Sequence, residues 1–290
     1  MRTILLLFLA LPQTLVARGQ AAPPQQSQNP SPMVEYARPH IRLSELRPPG
    51  RREPLTIGTL FLPQKLKRGS TIPLLIHFHG FTWIPEQAAA TRNTAVITAQ
   101  LGSGSGVYTR VFTRAEQFAE LIAEAEKLTG ARFAPITISA WSAGYGAVRE
   151  ILRVPENQAR VERLLLLDGL HTGYLAGAPG PRESALETDK LDVFLQFARA
   201  AMAGKKRMLI THTEIYPGTY ASTTETADYL LRQLPMARKP VLRWGPMRTQ
   251  QLSQAKQGRL LVQGYAGNTA PDHVDQIHAL ADFLRMLDKL

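Results

Sequence analysis

From about residue 55 onward, short apolar runs alternate with longer stretches whose apolar residues recur at helical spacing. Pro48-Pro49-Gly50 marks a turn, and Leu55 to Phe61 then alternates as a half-buried strand, so the first part reads as antiparallel. Pro73–Phe78, Thr94–Gln100, Pro135–Ala140, Arg163–Leu167, Arg207–Thr211 and Arg259–Gly264 are short and nearly all apolar. Strands buried on both faces have that composition. Thr113 and Glu116 have capping-box spacing before a helix with Phe118, Leu121, Ile122, Ala125 and Leu128 on one face, and Gly130 is placed to end it. Ser222 and Glu225 repeat that spacing before Tyr229, Leu230 and Leu234. A last helix carries Val274, Ile277, Ala281, Leu284 and Leu287 on one face. The predicted fold is α/β: one open, mostly parallel twisted sheet with helices on both faces. Ligands of such sheets bind at the carboxyl ends of the strands.

The N-terminus departs from this pattern. Arg2, the apolar run Ile4 to Leu11, Pro12 and the small residues near Gly19-Gln20-Ala21 predict a signal peptide over residues 1–21. The protein is therefore expected to be periplasmic or secreted. Residues 22–33, rich in Pro, Gln, Ser and Asn, read as a disordered linker, and 34–290 as one domain. The apolar run is shorter than the roughly 20 residues that span a bilayer. Cysteine is absent, which excludes disulfides, thiol nucleophiles and Cys-ligated metal. The net charge is +11; removing Arg2 and Arg18 with the leader leaves 32 basic against 23 acidic residues, or +9. Arg and Lys are spread over the chain, apart from Arg47, Arg51 and Arg52. Adhesion to anionic envelope surfaces fits this better than nucleic-acid binding.

The chemistry concentrates at Ile136-Thr-Ile-Ser-Ala-Trp-Ser-Ala-Gly-Tyr-Gly-Ala147. A β-branched strand runs straight into Ser142, flanked by small residues, and a helix follows. A nucleophile elbow requires this context, because its sharp turn tolerates only small residues two before and two after the serine. Ala140 and Gly144 fill those places, and Gly146 and Ala147 let the helix pack closely on the sheet. On these residues the chain resembles the α/β-hydrolase superfamily of esterases and lipases over roughly residues 55–290. It departs from the usual Gly-x-Ser-x-Gly pattern by Ala140 in the first place.

The resemblance implies a serine hydrolase working on small-molecule carboxylic esters, with amides second, and needing no cofactor or metal. It implies His273, between the last strand and the last helix, as the general base. The oxyanion donors are the backbone N–H groups of Phe81, after His79-Gly80, and of Ala143. Two carboxylates compete for the acid. Asp168 ends the run Leu164 to Leu167, and Glu214 follows the next strand, where the family more often keeps its acid. Asp168 is preferred because Gly169 frees the turn behind it and aspartate is the commoner triad acid. His278 reads as a packing residue, Gly102-Ser-Gly-Ser-Gly106 as a loop above the sheet, and 172–186 as a short lid. Trp83, Trp141, Tyr145 and Tyr174 fall near strand ends, where they either line a pocket or belong to the core.

Two rival readings remain. His77-x-His79 resembles the opening pair of the metal-dependent amidohydrolases, and His171, His212 and Asp168 are available to complete a site. That reading needs a closed ring of strand–helix units and leaves Ser142 unexplained. The other rival is a non-catalytic binding protein that keeps the hydrolase fold.

Overall fold

The structure is a computed structural model that describes residues 39–66, 71–175 and 185–290. The expected signal peptide, the linker and the centre of the expected lid lie outside the described residues.

Ten strands form one sheet: β1 (Gly50–Pro54), β2 (Thr59–Pro63), β3 (Thr71–Phe78), β4 (Ala95–Ala99), β5 (Arg132–Trp141), β6 (Val161–Leu167), β7 (Arg207–His212), β8 (Lys239–Trp244), β9 (Gln250–Gln257) and β10 (Leu260–Tyr265). Their order is β1-β2-β4-β3-β5-β6-β7-β10-β9-β8. The six central strands β4, β3, β5, β6, β7 and β10 run parallel, with antiparallel β1–β2 on one side and β9–β8 on the other. β6 shows why this centre must be sandwiched. Leu164 and Leu166 pack into one apolar cluster, whereas Leu165 and Leu167 pack into the other. Successive side chains of a strand point to opposite faces, so a run of four leucines needs a helical layer on each. The helices Ser105–Phe112, Gln117–Thr129, Tyr145–Arg153, Asp192–Met202 and Thr223–Gln233 supply the first layer. Trp83–Ala90, Ala270–His278 and Leu280–Asp288 supply the second. Strand order, crossover at β3–β4 and helices on both faces together make this an α/β-hydrolase fold.

Some expected details hold and others come out differently. Ser222 and Glu225 form their capping box, and Gly130 ends its helix at φ 69°. Thr113 opens no helix: it is the C-cap of the helix Ser105–Phe112, and its hydroxyl bonds the Thr109 carbonyl. Leu128 points away from the core and is exposed. The glycine-rich stretch 102–106 is only partly loop, since Ser105 begins a helix. The last helix is two, which meet at Ala279. Gly146 makes room for a neighbouring helix rather than the sheet, as a Cβ there would lie 2.5 Å from the Ser105 carbonyl oxygen. The expected lid is described only at its base, where Tyr174 and Leu186 form a bridge and Leu175 N–H bonds Ala185 O at 2.8 Å.

Gly144 positions the rest of the elbow. A Cβ on it would sit 2.3 Å from the Phe78 carbonyl oxygen, at the end of β3. Gly130, by contrast, has nothing within 4 Å of its virtual Cβ. Gly144→Ala is therefore expected to abolish soluble expression or lower Tm far more than Gly130→Ala, whose left-handed backbone costs about 1–2 kcal/mol. Melting curves of both variants check this, and equal losses would contradict the close approach at β3.

Candidate active site

Ser142 follows directly on β5 and opens a 3-10 turn, Ser142–Gly144, that leads into the helix Tyr145–Arg153. Its φ is 48°, a left-handed conformation that costs a non-glycine residue energy and is seldom kept without compensation. Gly169 lies against it: a Cβ there would come within 2.7 Å of Ser142 N and 2.8 Å of Ser142 O. Close approach to the elbow, rather than freedom of the turn behind Asp168, is thus what demands glycine at 169. Ala143 is the second residue of the 3-10 turn, so its N–H has no partner within that turn.

Asp168 follows directly on β6 in a left-handed conformation of its own, φ 43°, and is almost fully buried. Its backbone N–H bonds the Thr211 carbonyl at 3.0 Å. The carboxylate accepts four hydrogen bonds. Oδ1 takes Thr213 N–H at 2.9 Å and the Thr223 hydroxyl at 2.6 Å. Oδ2 takes the Thr213 hydroxyl at 2.7 Å and His273 Nδ1–H at 2.7 Å. Burial alone pushes this carboxyl's pKa up. The bond and charge of His273, with the Thr223 and Thr213 donors, outweigh it and hold the group well below the carboxylate range. Asp168 is therefore held as an anion.

His273 sits in the helix Ala270–His278, which begins at Thr269 with a capping box to Asp272. With Nδ1–H committed to Asp168, the ring offers its Nε2 lone pair. Trp141, the residue before Ser142, holds the ring from the side: the two rings stack at 4.5 Å, and Trp141 Nε1–H donates to the His273 carbonyl at 3.0 Å. On its other flank Trp141 stacks on His79 at 5.3 Å. Ser142, Asp168 and His273 line one cavity of about 200 Å³, together with His171, Tyr220 and Thr223. No hydrogen bond joins the Ser142 hydroxyl to His273 among the described residues. A larger cavity of about 690 Å³ lies by β1–β2, with Arg51 as its one charged lining residue among those described.

Glu214 is elsewhere. It closes a loop, its N–H on the Gly267 carbonyl at 2.9 Å and its Oε2 accepting from Gly267 N–H at 3.3 Å. Phe81 follows the turn His79–Gly80, whose φ values are 73° and 98°. Gly80 N–H is taken by Gln100 Oε1 at 2.7 Å, and His77 Nε2–H holds the His79 carbonyl at 2.9 Å. The Phe81 N–H is the next donor on that turn. Its side chain packs near Trp83 and His278. His278 is a buried packing residue as expected, accepting from Leu43 N–H at 3.0 Å.

The histidines of the metal reading do not converge. His77 uses both ring nitrogens, the second on Ser139 Oγ at 2.7 Å. His79 bonds Tyr108, His171 bonds the Ala221 carbonyl, and His212 lies between Thr224 and Arg238. The one group of metal-ligating residues among those described is His40, Asp272 and Asp275. The open sheet is also no closed barrel. Of the aromatic residues considered from sequence, Trp83, Trp141, Tyr145 and Tyr174 do not line the cavity beside Ser142. His171, considered from sequence only for a metal site, and Tyr220, packed on one another at 5.1 Å, do.

No protein-family model and no curated protein matches this chain. Solved structures similar to it include an esterase of Pyrobaculum calidifontis, 14% identical over 83% of this chain and 87% of that one, with a TM-score of 0.48. Poly(aspartic acid) hydrolase-1 from Sphingomonas sp. KT-1 is 12% identical over 83% and 99%, TM-score 0.48. Carboxyl esterase 2 of the mycorrhizal fungus Tuber melanosporum is 14% identical over 82% and 86%, TM-score 0.47.

Buried histidines near the site give a pH test. Burial, reinforced by the Arg238 charge, lowers the pKa of His212 from 6.5 to about 4, and burial lowers His77 to about 3. Between pH 6.5 and about 4 the unfolded chain binds protons that the folded one refuses. Stability is therefore full above pH 7 and falls with pH through that window, by up to about 1.4 kcal/mol per pH unit for each histidine. His212→Gln should flatten the fall of Tm between pH 6.5 and 4.5; an unchanged slope would contradict a neutral, locked His212.

Proposed function

We propose that the chain is a serine hydrolase of the α/β-hydrolase superfamily that cleaves small carboxylic esters through an acyl-enzyme on Ser142. The observation that carries this is the bond from His273 to a fully hydrogen-bonded Asp168, beside a serine held in a strained strand-to-helix turn. Asp168 fixes the tautomer in which His273 Nε2 accepts a proton, and stabilises the imidazolium that results. The Ser142 hydroxyl attacks the ester carbonyl as His273 Nε2 takes its proton. The developing oxyanion is received by the N–H groups of Phe81 and Ala143. His273 then returns the proton to the leaving alcohol, and water repeats the sequence on the acyl-enzyme. Trp141 is a positioning residue here, since it holds the ring and backbone of His273. A cavity of about 200 Å³ favours a short acyl group, being smaller than the roughly 300–1,000 Å³ of drug-sized ligand pockets. Export of the protein by its N-terminal leader belongs to the same proposal and rests on residues 1–21 alone.

Steady-state kinetics on one short-chain aryl ester test the assignment. Ser142→Ala and His273→Ala should both lose turnover while melting close to the parent. Asp168→Asn should lower kcat by about 10³–10⁴ with KM nearly unchanged, and Glu214→Gln should keep most of the activity. A fully active Ser142→Ala variant would overturn the mechanism, and an exchange of the two carboxylate phenotypes would overturn the choice of acid.

A further inference from the structure

The positive charge of the chain is evenly spread in number but not in sign. Between Asp228 and Asp272 it holds five arginines and two lysines and neither aspartate nor glutamate. This stretch includes the β8–β9 hairpin, which carries the sheet beyond β10. β8 is the last strand, and five of its six residues are exposed, unlike any of the parallel strands. Leu242 is 76% exposed and Trp244 62%. They stand at alternate positions, hence on one side of the strand, and neither belongs to an apolar cluster. Lys239 and Arg243 on the same strand, and Arg248 just after it, are exposed. Arg243, between them and so on the opposite side of the strand, donates to the amide oxygens of Gln251 and Gln254 at 2.9 and 3.1 Å. Arg238 is different, being paired with Asp228.

Two large apolar side chains within a ribbon of cations are unfavourable in water unless something covers them. We propose that the β8–β9 hairpin is a peripheral anchor for an anionic lipid bilayer, with Leu242 and Trp244 in the interfacial zone and Lys239, Arg243 and Arg248 against the phosphate headgroups. Tryptophan favours that zone, where its ring is apolar and its N–H stays hydrated. Each basic residue near an anionic membrane surface adds about 1 kcal/mol of attraction. A second copy of the chain fits poorly: antiparallel pairing of two β8 edges would bring Lys239 and Arg243 of both copies together. Pro240 also has no N–H to give such a ladder. An acidic protein fits less well than a bilayer, because two apolar side chains are few for an interface of roughly 800 Å² per partner. The Trp244 end of β8 pairs with Gln250, whose carbonyl accepts Ala266 N–H at 2.8 Å. The anchor therefore lies at the carboxyl end of β10, the same end of the sheet as His273, and does not depend on the catalytic reading.

Flotation of the full chain with vesicles tests this, using phosphatidylcholine alone or mixed with phosphatidylglycerol in equal parts. Binding is expected only to the mixed vesicles, and should be lost in high salt. Leu242→Ser/Trp244→Ser and Lys239→Gln/Arg243→Gln/Arg248→Gln should each weaken it at least about tenfold, with Tm and turnover of a soluble ester unchanged. All variants keep the N-terminal leader, so any loss reports on the hairpin. A parent chain that stays off the mixed vesicles would overturn the proposal, as would variants that bind like the parent. Dimerisation abolished by Leu242→Ser/Trp244→Ser, or capture by polyaspartate in place of vesicles, would overturn it in favour of another occupant.

Discussion

A carboxylate that has left water must find donors, and Asp168 has found four. Removing an ion of this size from solvent costs several kcal/mol even after relaxation, and the expense is met by elements far apart in the chain. Thr213 supplies two donors from the end of β7, Thr223 one from the start of a helix, and His273 one from the helix after β10. The anion at the end of β6 thus ties three other parts of the fold to one point. It also fixes the orientation of the imidazole that faces the cavity of Ser142.

Steric close approach is the second constraint. Gly144 against Phe78, and Gly169 against Ser142, let three strand ends crowd around one serine. On the far side, the ring of Trp141 fills the space between His79 and His273. Gly80 is equally constrained, since a Cβ on it would lie 2.9 Å from the Trp141 ring. The elbow is therefore small at every position where backbone meets backbone, and aromatic where rings must be held.

Most of this centre was legible in the chain. Buried parallel strands announce themselves, because Leu164 to Leu167 or Leu74 to Ile76 leave no face for solvent. The strand-to-helix context of Ser142 and the loop before His273 follow from local sequence. β1, β8 and β9 were not legible: Gln250–Gln257 is mostly polar, and it is a strand because it pairs with β10. The choice between Asp168 and Glu214 was open for a related reason. What separates them is Thr213 and Thr223, at 45 and 55 residues' distance from Asp168. No local spacing reports such partners. The placement of Trp141, His171 and Tyr220 was hidden for the same cause, as each depends on what the fold brings beside it.

We propose Ser142 as a nucleophile activated through His273 and the buried Asp168. Labelling with a fluorophosphonate, followed by peptide mapping, measures that directly. One adduct is expected on the peptide containing Ser142, formed much more slowly in Asp168→Asn and at the parental rate in Glu214→Gln. An unlabelled parent chain, or an adduct on any other residue, would contradict it.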